Sequence, residues 1–375
     1  MTTVDLVWFN AGGGHRAAAL ALEQEIAAQG RPWTVRRVHL TAVLDPAARF
    51  HRLTGLQPED LYNKRLASGF TLGLAQELKL LQALIRAAHA PLVARLARHW
   101  AATRPDLVVS LIPNFNRCLH DALQEARPGV PFVTVMTDMA DHPPSFWVEP
   151  GRVQHIVCGT AHAAAQALQA GVPAARVHRV HGMILRPEFH FPPAIDRAAE
   201  RAALGLPTDA PVGLVLFGGT GSRVMAQIAR ELPDVPLILM CGRNEALAQR
   251  LRDDAARSPT AAPRVARWMQ RADFFIGKPG PGSLSEAVQM GLPVLTTRNA
   301  WTMPQERWNT EWVRQQGLGV VLRRFADVRD GVHALLHDLP AFQARVRQRV
   351  LDTQGGRPEP AGWSTPIEDS TRLAA

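Results

Sequence analysis

A histidine that directly follows three glycines is the first candidate for chemistry in this chain. An apolar run ends at Phe9, glycines occupy positions 12–14 after Asn10, and an alanine-rich helical pattern starts at His15. The positive end of a helix dipole disfavours an imidazolium, so His15 is expected to stay neutral. A neutral imidazole that faces a cleft can serve as a general base. The alternative is a residue that merely starts the helix.

The segment from Lys278 to Ala287 (KPGPGSLSEA) has the character of an anion-binding loop. It lies between a predicted strand and a predicted helix, where free backbone N–H groups and the helix dipole favour a diphosphate. The alternative needs no ligand, because Ser283 and Glu286 have the Ser-x-x-Glu spacing of a capping box. The residues alone leave both interpretations open.

Two further segments belong to the same predicted domain. Residues 218–222 (GGTGS) form a second glycine-rich loop after an apolar run, without the GK[ST] of a P-loop. Gln305, Glu306 and Asn309 follow another predicted strand. Ligands bind at the carboxyl ends of strands in such sheets, and a carboxylate there can accept hydrogen bonds from sugar hydroxyls.

Acidic residues provide no metal-binding pattern. Asp138 and His142 follow a predicted strand end, and such a pair could orient a substrate hydroxyl or tie down a loop. A DxD motif is absent, since Asp138 and Asp141 have the wrong spacing and the pair at 253–254 lies in a polar helix. We therefore expect no metal and no other cofactor, so protein groups would have to neutralise a diphosphate.

The elements that must position these side chains alternate between short apolar runs and helical patterns, which indicates an α/β protein. A proline-rich stretch at 186–211 is interpreted as a linker, after which the pattern restarts. We predict two doubly wound domains, at 1–190 and 191–352, and a poorly ordered tail at 353–375. The predicted strands are 4–9, 107–112, 132–136, 155–158, 212–217, 237–240, 274–276 and 294–296, and the predicted helices include 15–28, 161–170 and 224–232.

Charge and composition narrow the classes of partner. The chain of 375 residues has 42 Lys+Arg against 33 Asp+Glu, a formal net charge of +9, which suits nucleic acid, an anionic membrane or a phosphorylated substrate. Nucleic acid has little support, because no basic block occurs and the chain has one tyrosine. Only three of the 42 cations are lysines, and a guanidinium suits phosphate better than an ammonium does.

The cysteines and the apolar segments indicate in which cellular compartment the protein resides. Cys118, Cys158 and Cys241 lie far apart without CxxC spacing, which argues against zinc and disulfides and favours a reducing compartment. Asp5 interrupts the first apolar stretch, so no secretory signal is predicted, and no apolar run reaches the ~18–20 residues of a bilayer span. We expect a cytoplasmic protein whose membrane contact, if any, is peripheral.

Residues 71–104 have a helical apolar pattern with cations nearby. Leu74, Leu78, Leu81 and Ile85 recur at spacings of four, three and four, which predicts that they share one face of a helix. One interpretation is an ordinary amphipathic helix that packs on its own domain. The other is a basic, apolar surface that lies on anionic lipid headgroups.

Six ordered segments resemble glycosyltransferase family 28, and within it the bacterial diacylglycerol glucosyltransferases and the monogalactosyldiacylglycerol synthases. The matching segments are 10–15 (NAGGGH), 137–147 (TDMADHPPSFW), 182–189 (GMILRPEF), 241–244 (CGRN), 278–287 (KPGPGSLSEA) and 305–309 (QERWN). The resemblance implies a GT-B fold, in which two Rossmann-like doubly wound domains face each other across a cleft.

The resemblance also implies roles for individual residues. The N-terminal domain would bind the acceptor and the C-terminal domain the donor, with His15 as the base. Gly280, Gly282 and Ser283 would hold the diphosphate, Glu286 the ribose, and Gln305 and Glu306 the sugar. The remaining implied donor-side residues are Gly218, Gly219, Thr220, Arg243, Lys278 and Asn309, and the implied acceptor-side residues are Asn10, Gly13, Gly14, Asp138, His142 and Trp147.

The implied activity is an inverting, metal-independent transfer of a hexose from a UDP-sugar to a diacylglycerol-type lipid, which forms a β-glycolipid. The enzyme would be peripheral on the inner face of the cytoplasmic membrane, with an anionic membrane surface as a partner. Alternatives are a polyprenyl-diphosphate-linked acceptor, a UDP-sugar epimerase that needs no acceptor, and a UDP-binding protein without catalysis. The hexose, the acceptor and the oligomeric state stay open at this point.

Overall fold

A computed structural model describes residues 1–10, 13–48, 51–52, 74–140, 142–253 and 265–353, and these ranges contain two parallel sheets. The first sheet and its helices comprise β1 (Thr2–Trp8), α1 (Gly14–Ala28), β2 (Trp33–His39), α2 (Leu40–Leu44), α3 (Leu74–Ala87), α4 (His89–Thr103), β3 (Leu107–Ser110), α5 (Asn116–Ala126), β4 (Phe132–Val135), β5 (His155–Cys158), α6 (Ala161–Gln169) and β6 (Val177–Arg179). Its strand order is β2-β1-β3-β4-β5-β6. The order reverses between β1 and β3, where open sheets of this kind bind ligands.

The second sheet has the strand order β11-β10-β9-β7-β8, again with parallel neighbours. Its elements are α7 (Pro187–His190), α8 (Arg197–Ala203), β7 (Gly213–Leu216), α9 (Val224–Glu231), β8 (Leu237–Met240), α10 (Glu245–Asp253), α11 (Val265–Arg271), β9 (Phe274–Gly277), α12 (Pro281–Gln289), β10 (Val294–Thr297), α13 (Pro304–Gln315), β11 (Gly319–Leu322), α14 (Val328–His337) and α15 (Leu339–Thr353). The order reverses between β7 and β9, so each sheet has one such crevice.

All eight predicted strands are present to within two residues at each end, and the prediction missed β2, β6 and β11. The detected strands are continuous apolar runs that are almost wholly buried, as central parallel strands are. The missed strands lie at or beside sheet edges and are partly exposed; β2 even contains two arginines. β2 and β6 therefore lack the continuous apolar run on which the prediction relied, whereas β11 (GVVL) has a short one that the prediction did not use.

The predicted linker is folded rather than extended. It contains α7 and α8, and Arg201 of α8 is buried against Asp273, with a 2.5 Å contact between Nη2 and Oδ2. Asp273 Oδ2 also accepts the Val212 N–H at 2.7 Å, so the segment is fastened to the second sheet. In the predicted tail, Thr353 ends α15, and residues 354–375 lie outside the described ranges.

The amphipathic stretch forms two helices, α3 and α4, and the leucines of α3 differ in how far they are buried. Leu78 is half-buried and packs against the first sheet's core, but Leu81 is 45% exposed. The neighbouring Leu80 and Leu84 are 61% and 58% exposed. Gln82 fixes the opposite side of α3, since its amide donates to Asn114 Oδ1 at 3.1 Å. The fold thus presents leucines to solvent on α3.

One buried apolar cluster connects the two sheets. Met139, from the loop after β4, and Phe189 of α7 belong to the same cluster as Leu284 and Val288 of α12. The short helix α7 also contacts α1, which begins at the candidate base. We call the predicted acceptor-side residues and the predicted donor-side residues the two half-sites. The elements that carry them therefore pack against common neighbours. None of the helices in the described ranges combines the length and the apolar character that a bilayer-spanning helix requires.

Candidate active site

His15 lies at the crevice of the first sheet, in the first turn of α1. Gly13 is the N-cap of α1 with a φ of 85°, a left-handed conformation that favours glycine, and Gly14 is its first residue. His15 Nδ1 lies 2.7 Å from Leu111 O and 3.1 Å from Thr137 Oγ1. Leu111 follows β3 and Thr137 follows β4, so the ends of adjacent strands hold the imidazole.

The contact with Leu111 determines which nitrogen of His15 can act as a base. A carbonyl oxygen only accepts hydrogen bonds, so Nδ1 carries the proton and donates it to Leu111 O. The lone pair of the neutral ring is then on Nε2. Burial lowers the pKa of His15 to about 4, and the bond to Leu111 O raises it in part. His15 is therefore neutral at physiological pH, as predicted, with Nε2 able to accept a proton.

Asp138 is held next to this histidine by a tryptophan. Its Oδ2 accepts the Trp147 Nε1–H at 2.9 Å, and the Trp147 side chain is fully buried. Burial raises the pKa of Asp138 to about 6; Trp147 and Lys278 oppose the rise and Glu306 adds to it. Trp147 thus positions Asp138 from within the protein core and does not itself line the cleft.

Other acceptor-side residues occupy the same edge of the sheet. Asn10 is half-buried directly after β1, and His142 is half-buried in the segment that follows the loop of Asp138. Both make interactions within the protein. Asp138 itself accepts a hydrogen bond from Trp147, as described above.

The structure excludes one of the two interpretations of the 278–287 loop, the capping box. α12 begins at Pro281 with Gly280 as its N-cap, and no side chain caps it. Ser283 is therefore inside the first turn, so the capping-box alternative is wrong. Proline at the first helical position lacks the N–H that would be unpaired there, and Gly282 and Ser283 follow it. Their N–H groups lie at the helix N-terminus, where an anion is favoured.

The space above this helix terminus is open. A Cβ added to Gly282 would meet no heavy atom within 4 Å, whereas one on Gly280 would lie 3.2 Å from Lys278 Cε. Lys278 Nζ pairs with Glu306 Oε1 at 2.9 Å, with 36% of the lysine side chain exposed and 6% of the glutamate. An anion over Gly282 would thus find backbone donors and a partly exposed ammonium.

Glu306 and Asn309 lie on one side of α13 and are buried, at 4% and 0% exposure. Asn309 Nδ2 donates to Pro279 O at 2.8 Å, so this buried residue stabilises the conformation of the 278–287 loop. Gln305, beside Glu306, is only partly buried. Of the three residues after β10, Gln305 is the most accessible, and Glu306 faces Lys278.

The first glycine-rich loop of the second sheet is joined to the segment after β8. Gly218 begins a 3₁₀ turn with φ of 70°, and Gly219 O accepts the Arg243 N–H at 2.9 Å. A Cβ added to Gly242 would overlap Gly219 O, so the two loops need glycine at their contact. Arg243 is exposed, and Thr220 ends the turn.

Glu286 lies one turn further along α12 and interacts electrostatically with Arg186 and Glu188, in the segment between the two sheets. Burial raises the pKa of Glu286 to about 7; Arg186 opposes the rise and Glu188 adds to it. Arg186 and Glu188 pair with each other at 2.9 Å. Arg186 lies within the 182–189 segment but is not among the predicted site residues. Its sequence position in the 182–189 segment gave the only indication of a role, because Arg186 comes near Glu286 only in the folded protein.

Because the pKa of Glu286 is raised, replacing its carboxyl group by a neutral amide is expected to stabilise the folded protein in a pH-dependent way. Its folded pKa of about 7 exceeds the reference 4.5, so its contribution to stability is complete below pH 4.5 and is lost as pH rises through 7. We expect Glu286→Gln to raise the free energy of unfolding by about 1–3 kcal/mol at pH 8 and to change it little at pH 4.5. Urea unfolding at both pH values measures this difference.

The exposed Glu245 provides the matched control, since Glu245→Gln removes a carboxylate that solvent reaches. We expect no comparable gain from it. Equal effects of Glu286→Gln at pH 8 and pH 4.5 would show that the carboxyl group of Glu286 is not destabilised by burial.

The two half-sites face each other. Asp138 of the first half lies close enough to Glu306 and Lys278 of the second for their charges to alter its pKa. A neutral imidazole and a buried acid thus lie near Lys278 and Glu306, which flank the N-terminus of α12. Within the described ranges, no group of three or more His, Cys, Asp or Glu residues is arranged to hold a metal ion.

Comparison with curated proteins shows related sequences. The chain is 31% identical to a probable monogalactosyldiacylglycerol synthase 2 of rice (Oryza sativa subsp. japonica), over 58% of this chain and 48% of that protein. It is 29% identical to monogalactosyldiacylglycerol synthase 2 of Arabidopsis thaliana, over 59% and 49% of the two chains. The chain thus spans about half the length of these relatives. No family model matches it.

Solved structures share the fold over almost the whole chain. MurG of Acinetobacter baumannii superposes with a TM-score of 0.59 at 13% identity, over 98% of this chain and 99% of MurG. Anabaena HepE, solved with UDP and glucose, gives 0.57 at 14% identity over the full length of both chains. A UDP-GlcNAc 2-epimerase of Neisseria meningitidis gives 0.52 at 14% identity, over 92% and 94%. The expected GT-B fold and the resemblance to the galactolipid synthases are both confirmed.

Proposed function

We propose that this chain transfers a hexose from a UDP-sugar to the hydroxyl group of a diacylglycerol-type lipid, with inversion and without a metal ion. The observation that carries the proposal is the arrangement of His15 and α12. A histidine whose neutral tautomer leaves Nε2 as a proton acceptor stands across the cleft from an open helix N-terminus. The sequence relatives named as monogalactosyldiacylglycerol synthases support the lipid acceptor.

The proposed reaction is a single displacement at the anomeric carbon. His15 Nε2 accepts the proton of the acceptor hydroxyl as its oxygen bonds to C1. The bond between C1 and the diphosphate oxygen breaks on the opposite face, so an α-linked donor gives a β-linked product. The departing UDP takes the electron pair, and the proton remains on His15 until it is released to solvent.

Protein groups would stabilise the charge that develops on the diphosphate. The N–H groups of Gly282 and Ser283 and the dipole of α12 would face it, and the partly exposed Lys278 would add a cation. Such fixed donors need no reorganisation as the leaving group departs. This arrangement would perform the neutralisation that a metal ion performs in other transferases.

Sugar and nucleoside would be held on either side of the diphosphate. Gln305 and Glu306 lie at the start of α13, where they can hydrogen-bond sugar hydroxyls. Glu286 lies further along α12 and would accept hydrogen bonds from the ribose. The glycine-rich turn at 218–220 and Arg243 would complete the donor side.

A peripheral position on an anionic membrane follows from the lipid acceptor and from α3. Leu80, Leu81 and Leu84 expose between 45% and 61% of their area on this helix, with Lys79 and Arg86 exposed beside them. Leucines that insert below the headgroups, flanked by cations that attract anionic lipid, are typical of helices that lie on a membrane. We place the enzyme on the inner face of the cytoplasmic membrane.

Polar replacement of this leucine face is expected to weaken vesicle binding. For Leu80→Ser with Leu84→Ser we expect about 30-fold weaker partitioning onto vesicles of phosphatidylglycerol, because each inserted leucine contributes about 1 kcal/mol and the two together about 2 kcal/mol. Co-sedimentation with vesicles measures the partitioning. Leu351→Ser, on α15, is the matched control, since that leucine is 50% exposed on another helix. Equal losses for both variants would contradict the assignment to α3.

The function is tested with pure protein, diacylglycerol vesicles and UDP-glucose, UDP-galactose or UDP-GlcNAc in turn. We expect a β-glycosyl lipid with one of the three donors. No lipid product with any donor would refute the lipid acceptor. Conversion of UDP-GlcNAc without any acceptor would indicate an epimerase, and product formed only on a polyprenyl diphosphate would indicate the other transferase class.

A further inference from the structure

One aromatic contact joins the two halves of the molecule at the cleft. The imidazole of His162 lies parallel to the indole of Trp308, with ring centroids 5.2 Å apart and an interplanar angle of 12°. His162 is the second residue of α6, beside the first sheet, and Trp308 lies on α13, beside the second. The other ring pairs seen between described residues stay within one half.

The α6 side of this contact is hydrogen-bonded to the loop that holds the base. Thr160 is the N-cap of α6 and accepts the Ala163 N–H at 3.0 Å. Its hydroxyl donates to Met139 O at 2.5 Å. Met139 follows Asp138 directly and comes two residues after Thr137, which contacts His15. A shift of the start of α6 would therefore move the loop that fixes the imidazole.

The α13 side belongs to the donor half-site. Trp308 is half-buried against the apolar cluster that connects the two sheets, and it lies two residues after Glu306 on the same helix. Glu306 pairs with Lys278 beside the open helix terminus. Because a helix moves as a rigid element, the position of Trp308 fixes the position of Glu306.

We propose that His162 and Trp308 form a clasp that closes the cleft in each catalytic cycle and sets the distance between His15 and the bound diphosphate. The inference rests on the proposed function. Transfer requires the acceptor oxygen within about 3–3.5 Å of C1, whereas substrate entry and UDP release require an open cleft. A stack of this kind shifts a two-state equilibrium about 2- to 12-fold, which favours closure and still permits opening. Both residues are positioning residues.

Kinetics of three variants test whether stacking itself is needed. We expect His162→Ala to lower kcat/KM for the UDP-sugar about 3- to 10-fold, because the closed state is less populated. His162→Phe keeps a flat ring and should restore most of the loss. His337→Ala removes an exposed histidine from α14 and is the control. A loss that His162→Phe does not restore, or no loss in His162→Ala, overturns the clasp.

Cross-linking tests the clasp without relying on turnover. All three native cysteines are buried, so His162→Cys with Trp308→Cys provides the two accessible thiols. A short bis-methanethiosulfonate reagent should join them, more rapidly with UDP present, and should not join His337→Cys to Trp308→Cys. Failure to cross-link, or a rate that UDP leaves unchanged, overturns the clasp even if no donor supports turnover.

The cross-linked protein also separates a moving clasp from a static contact. We expect cross-linking to lower turnover at least about ten-fold, because the cleft cannot open to release UDP, and reduction to restore it. Full activity in the cross-linked state would show a static contact and refute the clasp. Absence of product in the uncross-linked parent with every donor would instead refute the proposed function.

Discussion

Replacing His15 by alanine is expected to lower turnover about 10²–10⁴-fold, the usual contribution of a general base. The imidazole is held by Leu111 O and Thr137, so its Nε2 is oriented before substrate arrives. Water that fills the vacated space lacks both the orientation and the basicity to replace it. Initial rates at saturating UDP-sugar and lipid measure the effect.

The loss should be confined to the chemical step. In the proposed function UDP binds at the opposite half-site, so calorimetric binding of UDP to His15→Ala should match the parent protein. Burial lowers the pKa of His15 to about 4, so the same loss should persist from pH 6 to pH 8. Unchanged turnover would remove His15 from the role of base, and loss of UDP binding would indicate a structural role.

A valine at position 282 is expected to abolish most UDP binding without affecting the fold. A Cβ at Gly282 meets no heavy atom within 4 Å, so the folded protein can accommodate the side chain. The branched methyl groups would occupy the space over the N-terminus of α12 and keep the diphosphate from its N–H donors. We expect about 100-fold weaker binding, which corresponds to about 2.7 kcal/mol.

Calorimetry with UDP measures this affinity, and urea unfolding checks the fold. Ala202→Val places the same side chain on an exposed position of α8 and should leave binding unchanged. Normal UDP affinity in Gly282→Val would show that the diphosphate lies elsewhere. A large loss of stability would contradict the open space seen above this residue.

Local sequence sufficed for features that depend on neighbours in the chain. The glycines before His15 predicted a strand-to-helix turn, and the structure has it, because only glycine adopts the φ of 85° at position 13 without strain. Continuous apolar runs located the central strands, because both faces of a parallel sheet are covered and nearly every side chain of such a strand is buried. Edge strands such as β2 lack that signal.

Ambiguity remained wherever one pattern fits two local structures. The Ser-x-x-Glu spacing at 283–286 is compatible with a capping box, and only the start of α12 at Pro281 excluded it. The leucine spacing on α3 fits both a helix that packs on its own domain and an exposed apolar surface; Leu78 is partly buried, whereas Leu81 is 45% exposed. Periodicity identifies a helix but cannot say how much of its apolar face another element covers.

By itself, the sequence determined the two-sheet α/β architecture, the family resemblance and the candidates on each side of the cleft, because these depend on short contiguous patterns. Tertiary structure decided which atoms meet. It placed Leu111 O on His15 Nδ1, set Trp147 behind Asp138, brought Arg186 near Glu286 and stacked His162 on Trp308. The physical reason is that burial, pKa and contact depend on residues distant in the chain, whose approach is fixed only when both sheets and their shared core are packed.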